Sequence, residues 1–195
     1  MCQLFETICI ENGVEQNLVY HQQRVNQLAS HTLIDYIIRL DLPRVGTHRL
    51  RIDYTPTHIV QHTITPYVPR LINSLQLVVV DDNFQYAHKW ADRSALNRAL
   101  AQKNDADEIL IVRQGLITDT SFSNVLFLDG TQWVTPAEPL LAGTCRARLV
   151  HQRHIQATTI RLEDLAHFSH FMLINAMRDF DLAQAIPVTA QSIRI

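Results

Sequence analysis

Ile117-Thr118-Asp119-Thr120-Ser121-Phe122-Ser123-Asn124-Val125-Leu126-Phe127-Leu128-Asp129-Gly130-Thr131-Gln132-Trp133-Val134 is the stretch on which the fold turns. Asn124 to Leu128 is an apolar run of strand length. Asp129-Gly130 follows it, and Asp-Gly between apolar runs predicts a tight hairpin that returns through Trp133-Val134. The N-terminal end has the same grammar. Leu4 to Ile10 reads as a strand, Asn12-Gly13 as its hairpin turn, and the return strand is expected to end near Tyr20.

Outward from these hairpins, helices and strands alternate irregularly. A helix is predicted from His21, with Val25, Leu28 and Ala29 on one face, and a second over Leu33 to Leu40, stopping before Pro43. Thr47 to Tyr54, Thr57 to Thr65 and Leu75 to Val80 read as strands. Asp92 is placed to cap a helix running to Gln102, and Gly143 precedes another over Thr144 to His154. Asp107 to Val112, Ala157 to Leu162 and Phe171 to Ile174 add short strands. Two prolines in Thr65-Pro66-Tyr67-Val68-Pro69-Arg70 suit an extended spacer. The expectation is an α+β chain: a small α+β domain over 1–65, a linker over 66–70, and a larger β-rich domain with helices over 71–195.

Composition narrows the function. The 195 residues carry 47% hydrophobic and 18% charged side chains, a globular profile and not a disordered one. A net charge of −2 and scattered arginines give no basic face for nucleic acid or an anionic membrane, and no run approaches a membrane span. Cys2, Cys9 and Cys145 form no CxxC, and Glu6 and Glu11 interrupt what would be a signal-peptide core, so a cytoplasmic location is expected. The pairs His151/His154 and His167/His170 lack a third converging ligand, so no metal is expected. The five glycines, Gly13, Gly46, Gly115, Gly130 and Gly143, are too far apart for GxGxxG or a P-loop. A phosphate would have to be held by other means, such as arginine and a helix N-terminus.

Only two of the 17 basic residues are lysines. Lys103 sits in the polar Gln102-Lys103-Asn104-Asp105, a solvated helix end. Lys89 sits in Tyr86-Ala87-His88-Lys89-Trp90-Ala91, where desolvation favours a nucleophilic amine. The alternative is a lysine whose stem packs while its head reaches water.

An ordered set of short motifs resembles the class IV (D-amino-acid and branched-chain aminotransferase-like) pyridoxal-phosphate enzymes. It comprises Phe5-Glu6-Thr7, His21-Gln22-Gln23-Arg24, His88-Lys89-Trp90-Ala91-Asp92-Arg93, Ala106-Asp107-Glu108, the Ile117–Phe127 stretch, Leu141-Ala142-Gly143-Thr144-Cys145-Arg146, Asn175-Ala176-Met177 and Ile186-Pro187-Val188. The resemblance implies a two-domain fold with pyridoxal 5′-phosphate between the domains, and a homodimer. It implies that Lys89 is the Schiff-base lysine and proton carrier, and that Arg24 grips the phosphate together with the backbone amides of Thr144 and Cys145. Asp119 would pair with the pyridine nitrogen where the family usually has glutamate, one methylene longer. Asn175 falls where relatives place a phosphate-binding threonine. Each also has a structural reading: an exposed helix arginine for Arg24, an ordinary N-cap for Thr144, a strand-end turn for Asn175. Arg93 is read as facing either the same cleft or solvent, and Arg49 and Arg51 as a solvated strand face able to meet a dicarboxylate.

Relative to typical members the chain begins part-way into the first domain. Among the family, the lysine segment and Asn-Ala look most like the lyase branch, which takes an amine substrate, 4-amino-4-deoxychorismate, to 4-aminobenzoate and pyruvate in folate synthesis. An aminotransferase on a small amino acid is the second reading. A non-catalytic cofactor-binding protein, motivated by Asp119, is the third.

Overall fold

The computed structural model describes residues 3–195, and Cys2 lies outside them. The chain divides into two compact units, one of residues 1–69 with 88–92, the other of residues 70–87 with 93–195. Lys89, expected in the larger domain, therefore returns to the first unit.

The first unit is a four-stranded antiparallel sheet with two helices: β1 (Leu4–Glu11), β2 (Val14–Glu15), α1 (Leu18–Val25), α2 (Leu33–Ile37), β3 (Thr47–Tyr54) and β4 (Ile59–Pro66), in the order β2-β1-β3-β4. The Asn12-Gly13 turn forms as expected, with both residues at positive φ (50° and 87°). The return strand is only two residues long, because Asn17 (φ 57°) redirects the chain into α1 at Leu18. Leu28 and Ala29 lie beyond the helix end at Val25 yet still pack on the core with it. Strand alternation sends Leu4, Ile8 and Ile10 of β1 and Leu50, Ile52 and Tyr54 of β3 to the face that buries Val25, Leu33 and Ile37. Glu6 occupies the remaining core position of that alternation. β2 pairs only with the last two residues of β1. The open N-terminal half of β1 is instead bonded by the lysine segment: Phe5 N–H donates to Lys89 O (3.0 Å), Ala91 N–H donates to Gln3 O (2.8 Å), and Leu4 bridges Trp90.

The second unit contains β5 (Leu75–Val80), α3 (Ser94–Leu100), β6 (Glu108–Arg113), β7 (Leu116–Ile117), β8 (Asn124–Asp129), β9 (Gln132–Pro136), α4 (Thr144–His151), β10 (Gln156–Thr158), β11 (His170–Ile174), β12 (Ile186–Pro187) and β13 (Ile193–Arg194). They form two sheets, β13-β5-β6-β7 and β10-β9-β8-β11-β12. Leu75, Leu110, Val112 and Ile117 of the first and Val125, Phe127, Val134, Phe171 and Leu173 of the second share one core. The opposite face of the second sheet, Leu126, Trp133, Met172 and Ile174, is covered by Cys145 and Leu149 of α4. A sheet buried on both faces reads as a continuous apolar run, which is why Asn124 to Leu128 shows no alternation. The α3 helix starts at Ser94, so its N-cap position falls to Arg93 and not to Asp92. Likewise α4 ends at His151 and its N-cap is Gly143, which makes Thr144 the first helical residue and not the cap.

Phe127 is fully buried in the core shared by the two sheets and stacks on Phe168 at 4.9 Å. Phe127→Ala should lower unfolding free energy by about 3–5 kcal/mol in denaturant titration. A loss below 1 kcal/mol would mean that the sheets do not pack through this position.

Candidate active site

In the first unit, the His21 and Arg24 side chains, one turn apart on α1, converge on Glu6. Arg24 donates from Nε to Glu6 Oε1 (2.8 Å) and from Nη2 to Glu6 Oε2 (2.5 Å), a two-point ion pair. His21 Nδ1 lies 2.5 Å from the same Oε2. Both Glu6 and His21 are fully buried, and the Arg24 side chain is 11% exposed. Burial alone would raise the Glu6 carboxyl, but the Arg24 charge and the His21 hydrogen bond outweigh it and hold the group near 2. An ionised carboxylate only accepts, so Nδ1 of His21 carries the hydrogen. Burial lowers the His21 pKa, and the nearby charges of Arg24 and Lys89 lower it further against the pull of Glu6, leaving a neutral imidazole. Burial also pushes the Tyr54 phenol out of range of physiological ionisation.

Lys89 is in the same unit, its Nζ 4.7 Å from the Phe5 ring centre. Arg51 lies over that ring too, at 3.9 Å, and is anchored by Asp53 (2.6 Å). The register explains this: Phe5 pairs with Asp53 and Thr7 with Arg51, so Arg51 is the diagonal neighbour of Phe5 on one face. Arg49, on the same face, is exposed.

In the second unit, Asp119 and Asn124 face each other across the loop that enters β8. Asn124 Nδ2 donates to Asp119 Oδ1 (2.7 Å) and to Leu141 O (2.9 Å), while Leu141 N–H donates to Asp119 Oδ2 (2.9 Å). Burial pushes the Asp119 carboxyl up to about 6; these neutral donors and the charge of Arg146 only partly oppose it. Two residues beyond Leu141, Gly143 opens α4, and the backbone amides of its first turn have no intrahelical acceptor. The Cys145 thiol is buried and pushed up to about 12, so this cysteine is a neutral thiol in the core. At the end of β11, Asn175 Oδ1 accepts from Met177 N–H (2.8 Å), which makes the strand-end turn, and Asn175 Nδ2 donates to Ser123 Oγ (2.9 Å). Arg93 donates to Ser121 O (2.6 Å), so it points at this loop rather than at solvent.

Arg24 and Lys89 thus share the first unit. Asp119, Asn175 and the Thr144–Cys145 turn are tied in the second unit through Asn124, Ser123 and Leu141. Glu6 belongs to a family-like motif, Phe5-Glu6-Thr7, whose sequence alone assigns it no task. The available signal was its position: an acid at a core-facing place in an otherwise apolar alternation. The role of Asn124 as the tie between Asp119 and the 141–143 turn was not readable, because Leu141 is 17 residues away along the chain.

The sequence profile of the family described as amino-transferase class IV matches residues 55–186. An uncharacterized protein of Haemophilus influenzae is 36% identical over 187 residues, covering 91% of this chain and 98% of its own. The chain belongs to the class IV aminotransferase family. A protein of Haemophilus somnus provisionally named a 4-amino-4-deoxychorismate lyase has a crystal structure that superposes with a TM-score of 0.86 at 39% identity, covering 92% of this chain and 98% of that one. A protein of Schizosaccharomyces pombe, provisionally named an aminodeoxychorismate lyase, is 31% identical over 151 residues, 72% of this chain and 63% of its own. This chain covers 98% of the length of each of the two Haemophilus proteins.

Removing the Glu6 charge takes away the two-point anion that holds Arg24 at the sheet. Glu6→Gln should cost about 3–5 kcal/mol at pH 7. Because the Glu6 carboxyl is held below its ordinary 4.5, near 2, its contribution is complete above pH 4.5 and lost as pH falls toward 2. The stability gap between wild type and variant, read by urea unfolding, should narrow over that window. A gap that stays constant from pH 7 to pH 3 would contradict the pairing.

Proposed function

We propose that this chain is a pyridoxal-phosphate-dependent carbon–oxygen lyase that converts 4-amino-4-deoxychorismate to 4-aminobenzoate and pyruvate. The single observation that supports the cofactor is Arg24, held two-point by a buried Glu6 in the unit that also carries Lys89. What favours the lyase over other family activities is the likeness to the Haemophilus somnus protein over nearly the whole chain.

The donor sets suit the group. Glu6 fixes the Arg24 guanidinium in a two-point pair, and a guanidinium held in one orientation suits phosphate oxygens. In the second unit, the first turn of α4 supplies backbone N–H groups and the positive end of the helix dipole, a setting that suits an anion. Asp119 offers a buried carboxylate to a protonated pyridine nitrogen, and a cationic partner there would pull its pKa down from about 6. When bound, the cofactor supplies an electron sink for the carbon bearing the substrate amine. Lys89 would remove the proton from that ring carbon. The ether C–O bond would then break and the side chain leave as enolpyruvate, which takes up a proton at its methylene carbon to become pyruvate, while the ring becomes aromatic. The reaction has no net redox change, so no co-substrate is needed. The homodimer implied by the family resemblance, a cytoplasmic location and a place in folate synthesis belong to the same proposal.

An aminotransferase using the same lysine is the second reading, favoured by the family match itself. The purified protein should show a yellow chromophore that borohydride fixes to the peptide containing Lys89, and Lys89→Ala should lower turnover at least ~10²-fold. Equal amounts of pyruvate and 4-aminobenzoate, formed without an amino acceptor, support the lyase. Conversion to the pyridoxamine form by an amino donor, with no pyruvate released, would replace it with the aminotransferase. A protein that takes up no pyridoxal phosphate sinks both.

Asp119 sets the pH sensitivity of cofactor binding. Its carboxyl, raised to about 6, carries charge above that pH and loses it below. Equilibrium binding of pyridoxal phosphate should therefore weaken as pH falls through 6, and Asp119→Asn should remove that inflection. An inflection that survives in the variant would assign it to another group.

A further inference from the structure

We propose that Asn124 is a positioning residue that locks the Asp119 carboxylate and the Leu141–Thr144 turn into one body, so that the two ends of the bound cofactor are held in register. This inference rests on the cofactor assigned above. It names a residue that touches neither the phosphate nor the ring in that assignment and acts through its neighbours.

The argument begins with a closed ring of bonds. Both N–H donors of the Asn124 amide are used, one on Asp119 Oδ1 and one on Leu141 O. The Leu141 peptide answers with its own N–H to Asp119 Oδ2. Asp119, Asn124 and Leu141 are thus joined pairwise, and neither side chain is more than 5% exposed. A hydrogen-bonded ring with no exposed member resists deformation, because breaking any one bond strands a buried polar group.

The remaining atom of the amide faces Gly143. A Cβ built at Gly143 would lie 2.1 Å from Asn124 Oδ1 and 3.3 Å from Asn124 Cγ. The backbone there is ordinary, with φ −68° and ψ 147°, so glycine is not required for its conformation. It is required for the close approach of the amide. Asn124 therefore seats the residue that starts α4 at the same time as it donates to Asp119. Moving the carboxylate moves the turn. Thr120 and Ser123 brace the loop from the other side: Ser123 N–H donates to Thr120 Oγ1 (2.9 Å), and Thr120 Oγ1 donates to Ser123 O (3.0 Å).

Asparagine is specifically suited. Aspartate would replace two donors with acceptors and set a second carboxylate against Asp119. Alanine would leave Asp119 and Leu141 O each short of a donor.

The test uses equilibrium binding of pyridoxal 5′-phosphate and of pyridoxal to the cofactor-free full chain at pH 8. The ratio of the two affinities isolates the phosphate end. Asn124→Ala should lower that ratio at least tenfold although the residue has no bond to phosphate. Gly143→Ala should do the same by pushing the amide away from the turn. The double variant should be no worse than Asn124→Ala, because removing the amide makes room for the added methyl group. Circular dichroism and thermal unfolding of the cofactor-free variants check that each is folded. A ratio unchanged in folded Asn124→Ala, or losses that add in the double variant, would overturn the coupling. A wild-type chain that binds pyridoxal as tightly as pyridoxal 5′-phosphate would instead overturn the phosphate-site reading, a different outcome from either.

Discussion

A carboxylate carried into an apolar core must find donors there, and each unit of this protein is arranged around one that does. The two solutions differ in kind. Glu6 is met by a full positive charge in two-point geometry and by an imidazole N–H, so its ionised form is favoured in spite of burial. Asp119 is met by the Asn124 amide and a backbone N–H, both neutral, and the nearby Arg146 donates from Nη2 to Pro136 O. Burial then dominates and its carboxyl moves up instead. One site is a fixed charge that organises a cation. The other is a carboxylate whose charge depends on what binds it. A third acid, Glu108, is equally buried and takes Ile109 N–H, Ser121 N–H and Arg70, which ties the loop after Asp119 to the start of the second unit.

Much of the fold was legible because it is written in short-range rules. Asn12-Gly13 and Asp129-Gly130 turn where positive φ is needed, and β5 and β3 keep the bounds their apolar runs suggest. The helices were legible in place and not in length. Periodicity continued past their ends because Leu28 and Ala29 still face the core from turns after α1. The start of α4 at Thr144, just after Gly143, was legible, and only the alternative reading of Thr144 as its N-cap fails. Thr144 is the residue type that usually caps, but close approach to Asn124 puts glycine at that position and moves threonine inside the helix.

The candidate site was legible where a residue stands out by scarcity or by matching a family motif, as Lys89 and Arg24 do. It was not legible where a role depends on partners far along the chain. The value of Glu6 lies in residues 15 and 18 positions away, and that of Asn124 in a peptide 17 positions away. Asn175 shows both halves of the problem. Its own-backbone turn is a local habit of asparagine, whereas its bond to Ser123, 52 residues earlier, is invisible without the sheet that brings β11 beside β8.

The lysine segment is held by main-chain bonds to the edge of β1 and is separated from the rest of its unit by residues 70–87, which belong to the other. A nascent chain therefore cannot finish its first sheet when the first 69 residues have emerged. The N-terminal half of β1 stays an open edge until Ala91 has been synthesised, by which time β5 of the other unit is also outside. The two units are interleaved in the order of synthesis, and the residue assigned to chemistry is the one that closes the first of them.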